Sequence, residues 1–237
     1  MASLKEVKGR IASVNNTRKI TSAMKMVASA KLHKAQAAIE SMLPYERRLH
    51  HILTDFMSNC TEVTSPFIVK REVKKVAVVV FASNTSLCGG FNANVIRHLV
   101  DLLAEYKPLG LENILVFPVG KKVADAVRKL GFRIEGDFQH MADKPSYQEA
   151  ADLAADLMKR FLHGDVDKVE LLYNHFKSTA SQILTRETYL PIDLNNEKKE
   201  EERTIDYILE PSAEELMQEM LPKVLRMKMF TVLLDSN

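Results

Sequence analysis

Cysteine is nearly absent from this 237-residue sequence, and the two that occur, Cys60 and Cys88, fit neither a disulfide framework nor a metal-ligand spacing. A reducing compartment, in which both stay thiols, is therefore expected. Long apolar runs are missing as well. The longest, Val76 to Ala82, falls far short of the roughly 18 to 20 residues that a membrane-spanning helix needs, so the chain is expected to be soluble by itself. Catalytic signatures are also lacking: no paired carboxylates, no Ser-His-Asp set and no HExxH-type metal motif stands out. The only adjacent histidines, His50 and His51, would point about 100° apart on a helix and cannot both face one metal ion. What is present is ordinary for a globular protein, with 46% hydrophobic and 27% charged residues. The length suits one domain with an appendage, or two small domains.

Net charge is +2, but residues 1–39 carry eight basic groups against one acid, and the rest of the chain carries 25 basic against 30 acidic groups. A positive end on a mildly negative body suggests an anionic partner for that end.

That end reads as one long helix. From Ala2 to Phe56 there is a single glycine, Gly9, and a single proline, Pro44, among good helix formers. Leu4, Val7, Ile11 and Val14 have the spacing of a coiled-coil seam. The seam blurs at Arg18 and Thr21 and is expected to resume through Ala23 or Met24, Val27, Ala30, Ala37 and Leu49. A helix of this length spans roughly 80 Å, more than a small domain is wide, and Pro44 should bend or divide it.

After a polar connection over 58–72 the periodicity becomes that of buried strands. Strands are expected over Val73–Ala82, Asn113–Val119, Phe132–Phe138 and Lys168–Phe176, with helices over Asn92–Tyr106, Lys121–Leu130 and Ser146–Leu162. This alternation means a mostly parallel, Rossmann-like α/β sheet. Gln182–Leu190 follows without an intervening helix and reads as an antiparallel edge. A charged loop over 195–203, a strand over Thr204–Leu209 and a last helix from Ala213 to about Leu234 complete the chain. Ser212 and Glu215 are placed as a capping box for that helix. Its apolar residues surround much of its axis and need neighbours on more than one face. The expected domains are a shaft helix over 1–57, an α/β domain over 73–210 and a C-terminal helical segment over 212–237.

Two sites compete for function. The loop from Ser83 to Gly90, between a strand and a helix, is where an α/β protein would bind phosphate, giving a nucleotide-binding enzyme as one alternative. It lacks G-x-G-x-x-G and the lysine of a P-loop, and a tight turn needing glycine for close backbone approach competes with that reading. Cys88 reads as a packed thiol there. The basic helix offers nucleic-acid binding as the other alternative, but no aromatic residue precedes Tyr45 to stack on bases.

The run Leu4-Lys5-Glu6-Val7-Lys8-Gly9-Arg10-Ile11-Ala12-Ser13-Val14, followed by Asn16-Thr17-Arg18-Lys19-Ile20-Thr21 and Ala23-Met24-Lys25-Met26-Val27-Ala28, resembles the opening helix of the gamma subunits of F-type ATP synthases. Leu87-Cys88-Gly89-Gly90-Phe91-Asn92-Ala93-Asn94 and Tyr207-Ile208-Leu209-Glu210-Pro211-Ser212 resemble two further motifs of that family, in its order. The resemblance implies a non-catalytic central-stalk rotor of a proton-translocating ATP synthase, of bacterial type, without cofactor or metal. Its partners would be the alpha, beta and epsilon subunits and the membrane c-ring, with no nucleic acid, on the cytoplasmic side of the bacterial plasma membrane. Met24 and Lys25, with Arg18, Lys19, Lys31 and Lys34 around them, would meet a carboxylate-rich segment of beta. Asp206, Tyr207 and Glu210 would touch the rotor ring or epsilon. Exposed ion pairs, worth roughly 0 to 1 kcal/mol each, suit a bearing whose contacts break on every turn.

Two departures stand out. Asn84, Thr85 and Ser86 replace the Asp-Arg-Gly usual before the Cys-Gly-Gly, which removes the charges of that turn. The family also continues beyond a segment like Leu233-Leu234-Asp235-Ser236 into a long final helix that pairs with the first, whereas this sequence stops at Asn237. A truncated chain is the expectation, with nothing ahead of residue 2 to act as a presequence.

Overall fold

The computed structural model describes residues 3–59, 65–178, 181–192 and 213–237. Two compact units are distinguished, Met1–Ser41 and Met42–Asn237.

Helix α1 runs from Leu4 to Asn59. Its start is fixed by a cap that the sequence pattern did not flag: Ser3 Oγ accepts the Glu6 N–H at 3.3 Å, and Glu6 pairs with Arg10 at 3.0 Å. The hydroxyls of Thr17 and Thr21 turn back onto the carbonyls of Ser13 and Thr17, so neither demands a partner outside the helix. The expected division at Pro44 does not occur: the helix runs on through it. A proline removes one N–H from the ladder, and the good helix formers on both sides carry the helix past that gap.

The second unit holds the sheet. Strands β1 (Val76–Phe81), β2 (Ile114–Val119), β3 (Arg133–Ile134), β4 (Lys168–Ser178) and β5 (Ser181–Leu190) lie in the order β3-β2-β1-β4-β5. All neighbours are parallel except β4 and β5, which form the expected antiparallel edge. Helices α2 (Phe91–Tyr106), α3 (Lys121–Leu130), α4 (Tyr147–His163) and α5 (Ala213–Ser236) complete the unit. Strand β1 is buried on both faces, as its unbroken valine run requires.

Alternation along β1 divides the core. Val76, Val78 and Val80 pack with Val95, Leu99, Leu102 and Leu103 of α2 and with Val123 and Val127 of α3. Ala77, Val79 and Phe81 face the other way, into a cluster with Leu153, Leu157 and Phe161 of α4 and Leu221, Leu225 and Met229 of α5. The result is a three-layer α/β/α arrangement. Helix α5 meets both α4 and β4, which satisfies its apolar residues on more than one side.

Two boundaries differ from expectation. The strand expected over Phe132–Phe138 is only Arg133–Ile134: Gly136 takes a positive φ of 73°, and a short helical turn over Gln139–Ala142 follows. Strand β1 begins at Val76 rather than Val73, because the N–H groups of Lys74 and Lys75 are both taken by the Asp167 carboxylate at 2.9 Å instead of a neighbouring strand. The expected cap Gly131 ends α3 at φ 77°. The strand expected over Thr204–Leu209, the residue Ser212 of the expected capping box, and Cys60 lie outside the described residues.

Candidate functional site

Helix α1 exposes what a globular core would bury. Leu4, Ile11 and Val14 are 76%, 56% and 66% exposed, and Ile20, Met24, Met26 and Val27 are also more than half exposed. Singly exposed apolar residues are ordinary, but a run of them along one helix marks a surface that contacts something.

Counting around the axis shows how that surface is divided. Steps of three and four from Leu4 lead through Val7, Ile11 and Val14 to Arg18, Thr21 and Lys25. The same steps from Ile20 lead through Met24 and Val27 to Lys31 and Lys34. At about 100° per residue the two stripes lie roughly 150° apart, nearly on opposite sides of the helix. The seam that begins at Leu4 therefore does not resume at Ala23 or Met24 as expected; it passes through Arg18, Thr21 and Lys25 and returns to apolar residues at Ala28, Leu32, Ala35 and the buried Ile39. Among the sequence-predicted contact residues, α1 brings Arg18 and Lys25 to one side and Met24, Lys31 and Lys34 to the other. Lys19 lies between the stripes, beside Met26. All six are exposed. Asp206, Tyr207 and Glu210 lie outside the described residues.

The alternative site, the loop from Ser83 to Gly90, is turned in on itself. Asn92, buried in the first turn of α2, accepts the Ser83 N–H at 3.0 Å. Its amide donates to Thr85 O at 2.8 Å and to Ser83 Oγ at 2.9 Å, with Cys88 Sγ at 3.0 Å. Asn84 accepts the Lys121 N–H at the start of α3 at 2.7 Å and donates to Gln139 O and to Asp143 at 2.8 and 2.7 Å. Side chains that a phosphate site would aim outward are spent holding the ends of α2 and α3. Gly89 stands at φ 58° with open space where a Cβ would be, so glycine serves conformation here rather than the expected close approach.

A polar cluster that sequence reasoning missed sits between α2, β4 and β5. Glu170, with a side chain only 3% exposed, accepts from Tyr106 Oη at 2.8 Å, Lys168 Nζ at 2.6 Å and Arg186 Nε at 2.9 Å. Burial would raise this carboxyl, but the bonds from Arg186, Lys168 and Tyr106 outweigh it and hold it below its ordinary value. Burial would likewise lower Lys168, yet its bonds to Glu170 and Tyr106 leave it raised. Burial pushes the Tyr106 phenol up. Every member of the cluster thus holds its ordinary neutral-pH charge state. That is a structural brace, because a general acid or base would be tuned toward neutrality.

Among the described residues no group of three or more His, Cys, Asp or Glu is placed to hold a metal ion, and no helix is long and apolar enough to cross a membrane.

A sheet domain with its polar loops spent on its own framework, and a helix that exposes apolar and basic residues along Leu4–Lys34, point to a protein that acts through contact. Comparison with known proteins gives the family. The family model described as ATP synthase matches residues 3–237. An ATP synthase gamma chain from Phocaeicola vulgatus is 80% identical over 239 residues, covering 100% of this chain and 83% of its own length. One from Bacteroides thetaiotaomicron is 59% identical over 248 residues, with the same shares covered. A chain from the central stalk and c-ring structure of the Tetrahymena thermophila mitochondrial ATP synthase matches with a TM-score of 0.62 at 20% identity, covering 92% of each chain; that likeness speaks for the fold. The chain belongs to the ATP synthase gamma chain family. It is accordingly a non-catalytic subunit of an ATP synthase, and nucleotide-enzyme and nucleic-acid readings fall away.

Proposed function

We propose that the chain is the central-stalk rotor of a proton-translocating ATP synthase, turning inside a ring of alpha and beta subunits and thereby driving the catalytic sites on beta through their states in sequence. The observation that carries this reading is the exposure of apolar and basic residues on opposed sides of α1. A helix docked on one partner buries one stripe, whereas a helix surrounded by a ring offers contacts all round. Each contact is also cheap to break. An exposed ion pair is worth roughly 0 to 1 kcal/mol, and covering the exposed half of a side chain such as Met24 or Val27 contributes about 1 kcal/mol. Contacts of that size bias the populations of beta conformations without trapping one of them.

On this reading residues 1–57 form the shaft helix, 73–210 the α/β domain and 212–237 a C-terminal helical segment. Arg18, Lys19, Met24, Lys25, Lys31 and Lys34 contact beta. Asp206, Tyr207 and Glu210 contact the c-ring or epsilon, and the complex lies against the cytoplasmic side of a bacterial plasma membrane.

The test is capture of the chain by F-type alpha and beta subunits, with charge reversals on each side of α1. Arg18→Glu with Lys25→Glu, and separately Lys31→Glu with Lys34→Glu, are each expected to weaken capture about tenfold at moderate salt, since two reversed contacts cost about 1 to 2 kcal/mol. Full sensitivity to one pair and none to the other would refute the surrounded helix. Insensitivity to both, or no capture of the wild-type chain, would refute the rotor assignment of α1.

A further inference from the structure

Helix α5 lies on the antiparallel pair β4–β5, with Leu221, Leu225, Met229, Val232 and Leu233 buried in the cluster beneath it. Apolar contact of this kind is non-directional, and α4 and β4 hold the helix by the fit of its side chains. Directional bonds add fixed points to that fit, and α5 has them at three levels. Tyr189 of β5, buried, donates its hydroxyl to Leu225 O at 2.7 Å. Glu187 of β5 lies 3.3 Å from Lys228 Nζ. The third tie, in the last turn of α5, is made by Asp235, whose side chain is 7% exposed.

Asp235 differs from the other two because it bonds at two points. Strand β1 accompanies β4 only as far as Leu172. Beyond that residue β4 has no strand on the β1 side, and the Phe176 N–H is taken by Asp235 Oδ1 at 3.0 Å. Asp235 Oδ2 lies 2.5 Å from His175 Nδ1. An ionised carboxylate only accepts, so in this arrangement His175 donates from Nδ1. A carboxylate fixed through both oxygens, to a backbone N–H and to a side chain of the next residue back, resists sliding and rolling alike. Close by, Asn237 Nδ2 donates to Ala142 O at 2.6 Å, tying the same end to the turn before α4.

We propose that Asp235 is a positioning residue for coupling: together with His175 and the Phe176 N–H it keys α5 against the β4–β5 pair, so that the sheet domain and α5 rotate as one body without slip. This rests on the rotor reading above. The Tyr189 and Glu187 ties hold the middle of α5, and Asp235 fixes its last turn to β4.

The experiment uses the whole ATP synthase, reconstituted in vesicles, with ATP hydrolysis and ATP-driven proton uptake measured on the same preparation. Asp235→Ala is expected to leave ATP hydrolysis close to wild type and to lower protons moved per ATP several-fold. Asp235→Asn, which can still accept from Phe176 and pair with His175 in its other tautomer, is expected to restore most of that ratio. Val232→Ala loosens the same helix by packing alone and is expected to leave the ratio unchanged. An unchanged ratio in Asp235→Ala, or an equal fall in Val232→Ala, overturns the keyed joint while leaving the rotor reading intact. A wild-type chain that does not assemble with alpha and beta, or whose absence leaves proton uptake unaffected, overturns both.

Discussion

Glu170 is a buried carboxylate that ties together elements of the sheet domain, and its replacement tests the account of that domain directly. The carboxylate joins three elements: Tyr106 from α2, Lys168 from its own strand β4, and Arg186 from β5. Arg186 in turn reaches Glu105 of α2 at 2.7 Å. In Glu170→Ala two cations and a phenol lose their common acceptor. Removing one partner of a fully enclosed pair costs about 3 to 5 kcal/mol. Lys168 and Arg186 keep 24% and 38% side-chain exposure, so both can regain water, and the expected loss is about 2 to 3 kcal/mol. Glu170→Gln keeps an acceptor but not the charge and should lose about half as much. The sign of the pH dependence follows from the direction of the shift. The native carboxyl titrates below its ordinary 4.5, so on acidification the unfolded chain takes up the proton first. The ionic contribution is complete above that ordinary value and is lost as pH falls through the lower native one. Urea unfolding followed by far-ultraviolet circular dichroism measures both effects. At neutral pH the Ala variant should unfold at lower urea with an unchanged slope, and the gap between wild type and Glu170→Gln should close in acid. A loss under about 0.5 kcal/mol for the Ala variant, or a gap that widens in acid, would refute the reasoning.

Two further outcomes follow from backbone geometry and from charge. Gly120 joins β2 to α3 at φ 114°, and a Cβ there would stand 2.1 Å from Ala82 O; since neither backbone can yield without breaking the Ala82 N–H bond to Val119 O, Gly120→Ala should cost about 3 kcal/mol or more, and thermal unfolding near wild type would refute the contact. Asn84→Asp, which restores an acid to the turn before Cys88, would keep the acceptor for the Lys121 N–H but set a second carboxylate against Asp143, 2.7 Å from the present amide nitrogen. A loss of about 1 kcal/mol is expected, recovered by adding Asp143→Asn; a stabilised single variant would show that the helix end, not Asp143, governs the site.

The α/β domain was legible because periodicity and burial agree there. The Val78-Val79-Val80 run reads as a strand covered on both faces, and Gly131 as the cap of a helix that ends. The β4–β5 reversal was legible from a missing helix. What escaped is what depends on register. Glu170 sits in a strand read as apolar, and only the pairing of β4 with β5 puts Arg186 beside it. Asp235 is 59 residues from the amide it binds, and no local pattern announces that. On α1 the sides were legible too but were misread: taking Ala23 or Met24 as the continuation of the Leu4 seam moves it around the helix axis, because a count of three and four from Leu4 arrives at Lys25 instead.

The same contrast separates what the two units do. Among the described residues of 42–237, polar side chains near the ends of the strands are committed to the framework: Asn84 and Asn92 to the loops, Asp167 to the start of β1, Asp235 to the far end of β4. A domain built this way resists deformation, since moving any element breaks directional bonds as well as apolar contact. Along Leu4–Lys34 the polar bonds run within the helix itself, from Glu6 to Arg10 and from Thr17 and Thr21 to the turn before them, and the side chains that remain are exposed. A body that must turn against its neighbours needs both properties at once: internal bonds strong enough that torque does not deform it, and outward contacts weak enough to be remade at each step. Strengthening α1 contacts with larger apolar groups at Ile20 or Val27 would therefore be a gain in affinity and a loss in turnover, because contacts made in the resting states and broken in the passage between them lower the resting states more than the passage.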